Sequence, residues 1–192
     1  MSGRIRTRIA SFVQRYPAVT YFVLTLALSW SIWVPTLPAR SSIGLIVGSF
    51  GPAIAAAIVT RLRGHSVRSW LRTLADPRTD LRRYVAALGV PLVWAGAILA
   101  GLALWTGSVD TTRLAGLASR LPTALLFVML VGGGNEELGW RGFALPALQE
   151  RTDALTASVV IGVVWAVWHL PIFVFGVLSY GSLSAVPAYI LN

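Results

Sequence analysis

Five apolar runs, each about twenty residues or longer, alternate along this chain with short segments that carry most of its charge. A helix needs about 20 apolar residues to cross a bilayer, and only helices or closed barrels satisfy their backbone groups there. We therefore predict an all-α fold, a polytopic transmembrane helical bundle with five full spans and a partial sixth. The full spans are 17–37, 41–60, 84–105, 121–149 and 154–175, and 185–192 is the partial span. Gly51-Pro52 predicts a break inside the second span.

The composition agrees with a membrane protein. Of the 192 residues 56% are hydrophobic and 12% are charged, whereas soluble domains carry about 25% charged residues. The net charge is +9, but the chain has arginine and no lysine, and the arginines cluster in the short segments outside the apolar runs. That pattern favours membrane lipid as a partner and argues against nucleic acid. The chain has no cysteine, which excludes disulfides and thiolate metal sites.

The arginines also predict an orientation. Four lie in the first 15 residues and seven lie in 61–83, and basic segments stay cytoplasmic. We expect the N-terminus and the 61–83 loop on the cytoplasmic side of a bacterial-type cell membrane. The run 17–37 is longer than the 7–15 apolar residues of a signal peptide, so it is interpreted as a span. Residues 1–192 are predicted to form one membrane-embedded domain.

An unusual polar stretch, 132–142, lies within the fourth apolar run. It holds Glu136 and Glu137, two of the three glutamates in the chain, together with Arg141. A buried charge is costly unless it is paired or hydrogen-bonded. Glu137 and Arg141 are spaced i, i+4 and can pair, while Glu136 diverges from Glu137 by about 100° around the helix. Glu136 is therefore free to act as a base.

A second polar group lies in the fifth span. His169, one of two histidines, follows Trp165 by one helical turn, so the indole can support the imidazole. Glu136 and His169 are equidistant from the boundary between Thr152 and Asp153 in the intervening polar turn. Two antiparallel helices would place both at one depth. A lone ion pair can be structural and a lone histidine can be a packing residue, but the matched depth favours a functional site.

These residues resemble a known family. Glu136-Glu137-x-x-x-Arg141, followed by Trp165-x-x-x-His169, is similar to the CPBP intramembrane proteases, the CAAX-processing and bacteriocin-processing or Abi family, over residues 121–178. Type II CAAX prenyl endopeptidases are similar enzymes. The resemblance implies a helical membrane peptidase in which Glu136 activates water, His169 assists, and Glu137 and Arg141 support the site.

One family motif is missing from the sequence. The family carries a later His-x-x-x-Asn or His-x-x-x-His motif, but no histidine follows His169, so a truncated or degenerate member is expected. Members are often described as metalloproteases, and a metal-free glutamate mechanism is also proposed for them. Catalytic zinc usually takes three protein ligands. The sequence assigns no cofactor and leaves a divalent metal such as zinc open, with Glu136 and His169 as its candidate ligands.

Three functions remain open at this point. The leading hypothesis is an intramembrane endopeptidase, a hydrolase that cleaves a peptide bond of a membrane-associated peptide or protein. The alternative is a truncated, non-catalytic membrane protein that binds a partner or confers immunity. A transporter with Glu136 and His169 as a proton relay is disfavoured, because the spans are few and no repeat is present. The sequence leaves the oligomeric state open.

Overall fold

A computed structural model describes residues 2–75, 80–108, 111–131 and 133–175 of the chain. The described residues form helices and no strand, which confirms the all-α fold class. Among the described residues, five helical segments are long and apolar enough to cross a membrane: Pro17–Ala39, Ser42–Leu62, Leu81–Thr106, Leu114–Gln149 and Ala154–Val174. The predicted partial span, 185–192, lies outside the described residues.

Eleven α-helices account for most of the described chain. They are α1 (Ser2–Arg15), α2 (Pro17–Thr36), α3 (Ser42–Ser49), α4 (Gly51–Leu62), α5 (Val67–Leu74), α6 (Leu81–Thr106), α7 (Thr111–Leu130), α8 (Gly134–Gly139), α9 (Leu145–Gln149), α10 (Ala154–Trp168) and α11 (Leu170–Val174). A 3₁₀ turn (Leu37–Ala39) follows α2, and a π-helical turn (Trp140–Ala144) joins α8 to α9. The break predicted in the second span lies between α3 and α4.

The fourth span differs from the predicted 121–149, because two helices share it. Helix α7 ends at Leu130 and α8 begins at Gly134. Gly133 has φ +148°, a backbone conformation that residues other than glycine rarely adopt. A Cβ on Gly134 would collide with the backbone of Met129. The glycines therefore allow a sharp break, which places the two glutamates in the first turn of a new helix.

The chain divides into two compact units, and each is described by itself. The first contains residues 2–70 and 127–175 and has a buried core around α2. Its largest fully buried side chains include Tyr21, Trp33, Trp140 and Trp168. The prediction that 1–192 form one domain stays a prediction.

Close packing of α2 on α3 and α4 depends on glycines in the first unit. A Cβ on Gly44, Gly48 or Gly51 would collide with side chains of α2. At these contacts the Ser29 hydroxyl donates to the Gly48 carbonyl at 2.8 Å. The Trp33 indole N–H donates to the Leu45 carbonyl at 3.1 Å. Small residues allow such close approach between membrane helices.

The second unit contains the described part of residues 71–126. Its long helix, α6, has no buried residue, and its Trp94 and Trp105 side chains are 71% and 90% exposed. Exposed apolar side chains are expected of a helix that faces lipid. The Asp80 carboxylate caps α6 by accepting a hydrogen bond from the Arg82 backbone N–H at 3.0 Å.

Candidate active site

The beginning of α8 is fixed by Asn135, which directly precedes the glutamate pair. This side chain is 5% exposed, and its amide nitrogen donates to the Ser49 carbonyl at 3.1 Å and to the Ser49 hydroxyl at 3.2 Å. Its amide oxygen accepts from the Gly133 backbone N–H at 3.3 Å. Ser49 is the last residue of α3. The α3–α4 break therefore supplies the polar groups that hold the first turn of α8.

Glu137 and Arg141 form the predicted i, i+4 ion pair. Their side chains are 46% and 70% exposed, so the pair contributes little to stability. Its effect is geometric, because it directs the Glu137 carboxylate toward Arg141. Glu136, one residue earlier, is partly buried and is left to face the pocket described below.

A wide helical turn follows α8. In the π-turn, the Leu145 backbone N–H bonds to the Trp140 carbonyl, five residues earlier. Such turns occur mainly as single bulges, often at functional sites. The Trp70 indole N–H donates to the Gly142 carbonyl at 3.0 Å, so a side chain from α5 supplies a donor inside this turn.

His169 lies at the junction of α10 and α11, where the helix breaks before Pro171. Its Nδ1 is 2.9 Å from the Trp165 carbonyl oxygen. A carbonyl can only accept, so Nδ1 must carry the hydrogen in this contact. In the neutral imidazole, Nε2 then keeps a lone pair and can accept a hydrogen bond.

Trp165 contacts His169 through two groups. In addition to the predicted contact of its indole with the imidazole, its backbone carbonyl accepts a hydrogen bond from Nδ1. The indole packs edge-on against the imidazole, with 4.2 Å between ring centroids, and it interacts with the Glu136 carboxylate. One residue therefore contacts both His169 and Glu136.

One cavity of about 710 Å³ joins the predicted residues. Glu136, Glu137, Arg141, Trp165 and His169 all line it. Its remaining wall is largely apolar and includes Trp140 and the α10 residue Gly162. The cavity is large enough for an extended peptide segment, and its ionisable groups converge from α8, the π-turn and α10.

Three residues near the site were not predicted. Asn135 adjoins the glutamates in an apolar run, so its polarity was an available signal. Tyr21 and Trp168 were hidden by the sequence, because Tyr21 lies in a distant span and Trp168 is one of eight tryptophans. Tyr21 packs edge-on against Trp140 with 5.6 Å between ring centroids, and Trp168 packs against His169 at 4.6 Å.

The donor set was tested for a metal ion. Within the described ranges, no group of three or more His, Cys, Asp or Glu side chains is placed to hold one. Glu136 and His169 provide two donors, and Glu137 is paired with Arg141. Catalytic zinc usually takes three protein ligands, so this part of the chain does not by itself fit a zinc ion.

The fold and the cavity define a class: an integral membrane protein of helical type with ionisable side chains around one open pocket. Comparison with known proteins sharpens that class. Residues 118–192 match the family described as "Type II CAAX prenyl endopeptidase Rce1-like". This confirms, over that part of the chain, the resemblance predicted from the sequence.

A curated relative supports the same family resemblance. "CAAX prenyl protease 2" of Methanococcus maripaludis is 41% identical over 69 residues, which are 35% of this chain and 26% of the relative. The match thus spans about a quarter of the relative's length. No solved structure matches the chain.

Proposed function

We propose that this protein is an intramembrane endopeptidase that hydrolyses a peptide bond of a membrane-associated substrate, with Glu136 as the base. The observation that carries the proposal is the shared cavity of Glu136 and His169, bridged by Trp165. The similarity to a CAAX prenyl protease supports CAAX-type processing. Bacteriocin-type processing is the second substrate class within the proposal.

The chemistry follows from the hydrogen-bond geometry. A water between the two side chains gives one proton to Glu136 while its other hydrogen bonds to Nε2 of His169. The water oxygen adds to the carbonyl carbon of the scissile bond and forms a tetrahedral oxyanion. Glu136 then passes its proton to the amide nitrogen, the carbon–nitrogen bond breaks, and an amine and a carboxylic acid leave. Each positioned acid or base typically contributes about 10²–10⁴-fold to such a rate.

The supporting residues keep this geometry. Arg141 pairs with Glu137, which prevents Glu137 from competing with Glu136 for the water. The Trp165 carbonyl fixes the imidazole tautomer, so that Nε2 rather than Nδ1 faces the water. An apolar wall around the pocket lowers the local dielectric and strengthens both interactions.

Partners and orientation complete the proposal. The protein's partners are membrane lipid and a peptide or protein substrate, and the N-terminus and the 61–83 loop face the cytoplasm. The arginine distribution supports this orientation. Because the chain has no cysteine, single cysteines introduced at exposed Ser69 or at Ser108 can be labelled selectively from either side of sealed vesicles. Labelling of Ser69→Cys only from the side of the membrane opposite the cytoplasm would contradict the proposed orientation.

The central test is peptide cleavage by the full-length protein in proteoliposomes. We expect Glu136→Gln and His169→Ala each to lower kcat/KM by about 100-fold or more. The chain supplies matched controls. Glu150 is exposed and lies at the end of α9, 4.0 Å from Arg63, and His65 is exposed on a loop. Glu150→Gln and His65→Ala should stay within about twofold of the unchanged protein.

Other results would reject the proposal. Cleavage that survives in both Glu136→Gln and His169→Ala would exclude this site. A protein that cleaves none of the CAAX-type or bacteriocin-type peptides, yet still binds them, would be the non-catalytic partner-binding protein considered from the sequence.

A further inference from the structure

Six buried polar side-chain atoms lack a hydrogen-bond partner within the described ranges, and four of them lie together beside the candidate active site. The four are the hydroxyls of Tyr21 and Thr25 and the indole nitrogens of Trp140 and Trp168. All four residues are at most 2% exposed. More than nine in ten buried polar groups have a partner in protein or ordered water, so four together require an explanation.

The four groups are neighbours in the core of the first unit. Tyr21 and Thr25 lie one turn apart on α2, and their hydroxyls adjoin each other without the alignment of a hydrogen bond. Trp140 packs edge-on against Tyr21 at 5.6 Å between ring centroids. Trp168 packs against Trp140 at 5.9 Å. We call these four residues the inner polar cluster.

Other buried polar groups of α2 are bonded to protein. The Trp30 indole N–H donates to the Trp168 carbonyl at 3.0 Å. Trp33 and Ser29 also donate to backbone carbonyls, as described above. On α2 the lack of partners is therefore confined to Tyr21 and Thr25 and is not a general feature of this helix.

The cluster adjoins the proposed catalytic groups. Trp140 belongs to the cluster and also lines the cavity that holds Glu136 and His169. The Tyr21 hydroxyl contacts α8, because a Cβ on Gly139 would lie 2.5 Å from it. It is also close enough to the Glu136 and Glu137 carboxylates to interact with their charges. The cluster thus adjoins the cavity through Trp140, which belongs to both, and through Trp168, which packs against His169.

We propose that the inner polar cluster binds ordered water next to the active-site cavity. Each indole N–H can donate to a water oxygen, and each hydroxyl can both donate and accept. Buried waters typically make about three hydrogen bonds to groups of this kind. The proposal deepens the proposed function in one respect: this water supplies the molecule that each peptide-bond hydrolysis consumes, at a site surrounded by apolar helices.

Thermal unfolding distinguishes a wet cluster from a dry one without any activity measurement. If water is bound, Tyr21→Phe and Thr25→Val remove its partners and lower the Tm of the purified protein. If the cluster is dry, the same changes remove unpaired buried hydroxyls and raise the Tm. Thr20→Val is a matched control on α2, because the Thr20 hydroxyl already donates to the Tyr16 carbonyl at 2.9 Å. A rise in Tm for both cluster variants would overturn the proposal.

Radiolytic hydroxyl-radical labelling of the protein in detergent gives an independent measure. Bound water generates radicals in place, so buried Trp140 and Trp168 should be oxidised several-fold faster than Trp33. Trp33 is the control because it is equally buried and its indole nitrogen is bonded to protein. Equal, slow oxidation of the three tryptophans would show a dry core and overturn the proposal.

The functional role has its own measurement. Tyr21→Phe should lower kcat several-fold and leave KM within about twofold, because water supply limits the chemical step and not substrate binding. Tyr16→Phe, an exposed tyrosine just before α2, should change neither constant. If Trp140 and Trp168 are oxidised as expected but Tyr21→Phe leaves kcat unchanged, the water site stands and its catalytic role is rejected. Labelled tryptophans in a protein without peptidase activity would reject the proposed function alone.

Discussion

Helices α2 and α6 are both long and apolar enough to cross a membrane, yet α2 buries six of its residues and α6 buries none. The difference lies in the side chains, not in overall apolarity. The buried face of α2 carries Tyr21, Thr25, Ser29 and Trp33, which hydrogen-bond or pack against neighbouring helices. Helix α6 presents aliphatic side chains and two exposed tryptophans. In a bilayer, polar and small groups rather than apolar area select the faces that pack.

Glycines show the same contrast. In the first unit, a Cβ on Gly48, Gly51 or Gly139 would collide with a neighbouring helix. In the second unit, Gly89, Gly96, Gly101 and Gly116 have no described atom within 4 Å of such a Cβ. Glycine therefore provides close helix contact at these positions of the first unit, and none of these glycines of the second unit does so. Three predictions test this comparison, ordered from the largest expected effect to the smallest.

The largest effect is expected for Gly139→Ala. Its Cβ would lie 2.5 Å from the Tyr21 hydroxyl and 2.6 Å from the Pro52 carbonyl, and the backbone of Pro52 cannot easily move. Overpacking of this kind costs about 1–3 kcal/mol in the free energy of unfolding. The measurement is reversible unfolding in mixed micelles. Gly96→Ala in α6 is the matched control and should be neutral or stabilising by up to about 1 kcal/mol. Equal destabilisation by both changes would contradict the contrast.

A smaller loss of stability is expected for Asn135→Ala, with a larger effect on activity. The change removes two hydrogen bonds to Ser49 and leaves buried acceptors without a donor, which costs about 1–2 kcal/mol. Because α8 loses the contact that fixes its first turn, kcat should fall while KM changes little. Ser119→Ala in the second unit, an exposed hydroxyl bonded within its own helix, is the control. Full activity of Asn135→Ala would remove Asn135 from the site.

The smallest effect is expected for Asp153→Ala, at the exposed N-terminus of α10. The Asp153 carboxylate accepts from the Thr156 backbone N–H at 2.9 Å and from its hydroxyl at 2.6 Å, and these bonds lower the pKa of Asp153 below 3.8. The lowered pKa means that the cap stabilises the fold above about pH 4 and is lost as pH falls through the folded pKa. The Tm difference between Asp153→Ala and the unchanged protein should therefore be present at pH 7 and shrink in acid. A difference that grows in acid would contradict this assignment.

Much of the fold could be predicted from the sequence because hydrocarbon imposes strong rules. Apolar runs of sufficient length gave the five membrane helices, and Gly51-Pro52 gave the break between α3 and α4. The break at Gly133 was missed, because a run of glycines in an apolar segment does not reveal whether a helix continues. The break is visible only in the structure, as the positive φ of Gly133, and that backbone angle depends on how α8 packs.

The sequence predicted which residues line the candidate site and two of their contacts, the Glu137–Arg141 ion pair and the indole–imidazole contact, but not the other contacts. Helical spacing brought Glu137 to Arg141 and matched the depth of Glu136 and His169, and the structure places all of these residues on one cavity. Their catalytic roles remain predictions. The hydrogen bond from His169 to the Trp165 carbonyl was not foreseeable, since spacing fixes which residues meet and not which atoms do.

What the sequence determined by itself was that the chain folds in lipid and how many segments cross it, because each apolar run must satisfy its own backbone groups there. It also determined the pairing of Glu137 with Arg141, which follows from their spacing of four residues. Only the tertiary structure decided that Tyr21 and Thr25, on the distant helix α2, lie near Glu136. Such contacts depend on how side chains of different helices fit together, and the pattern of apolar residues along the chain does not predict that fit.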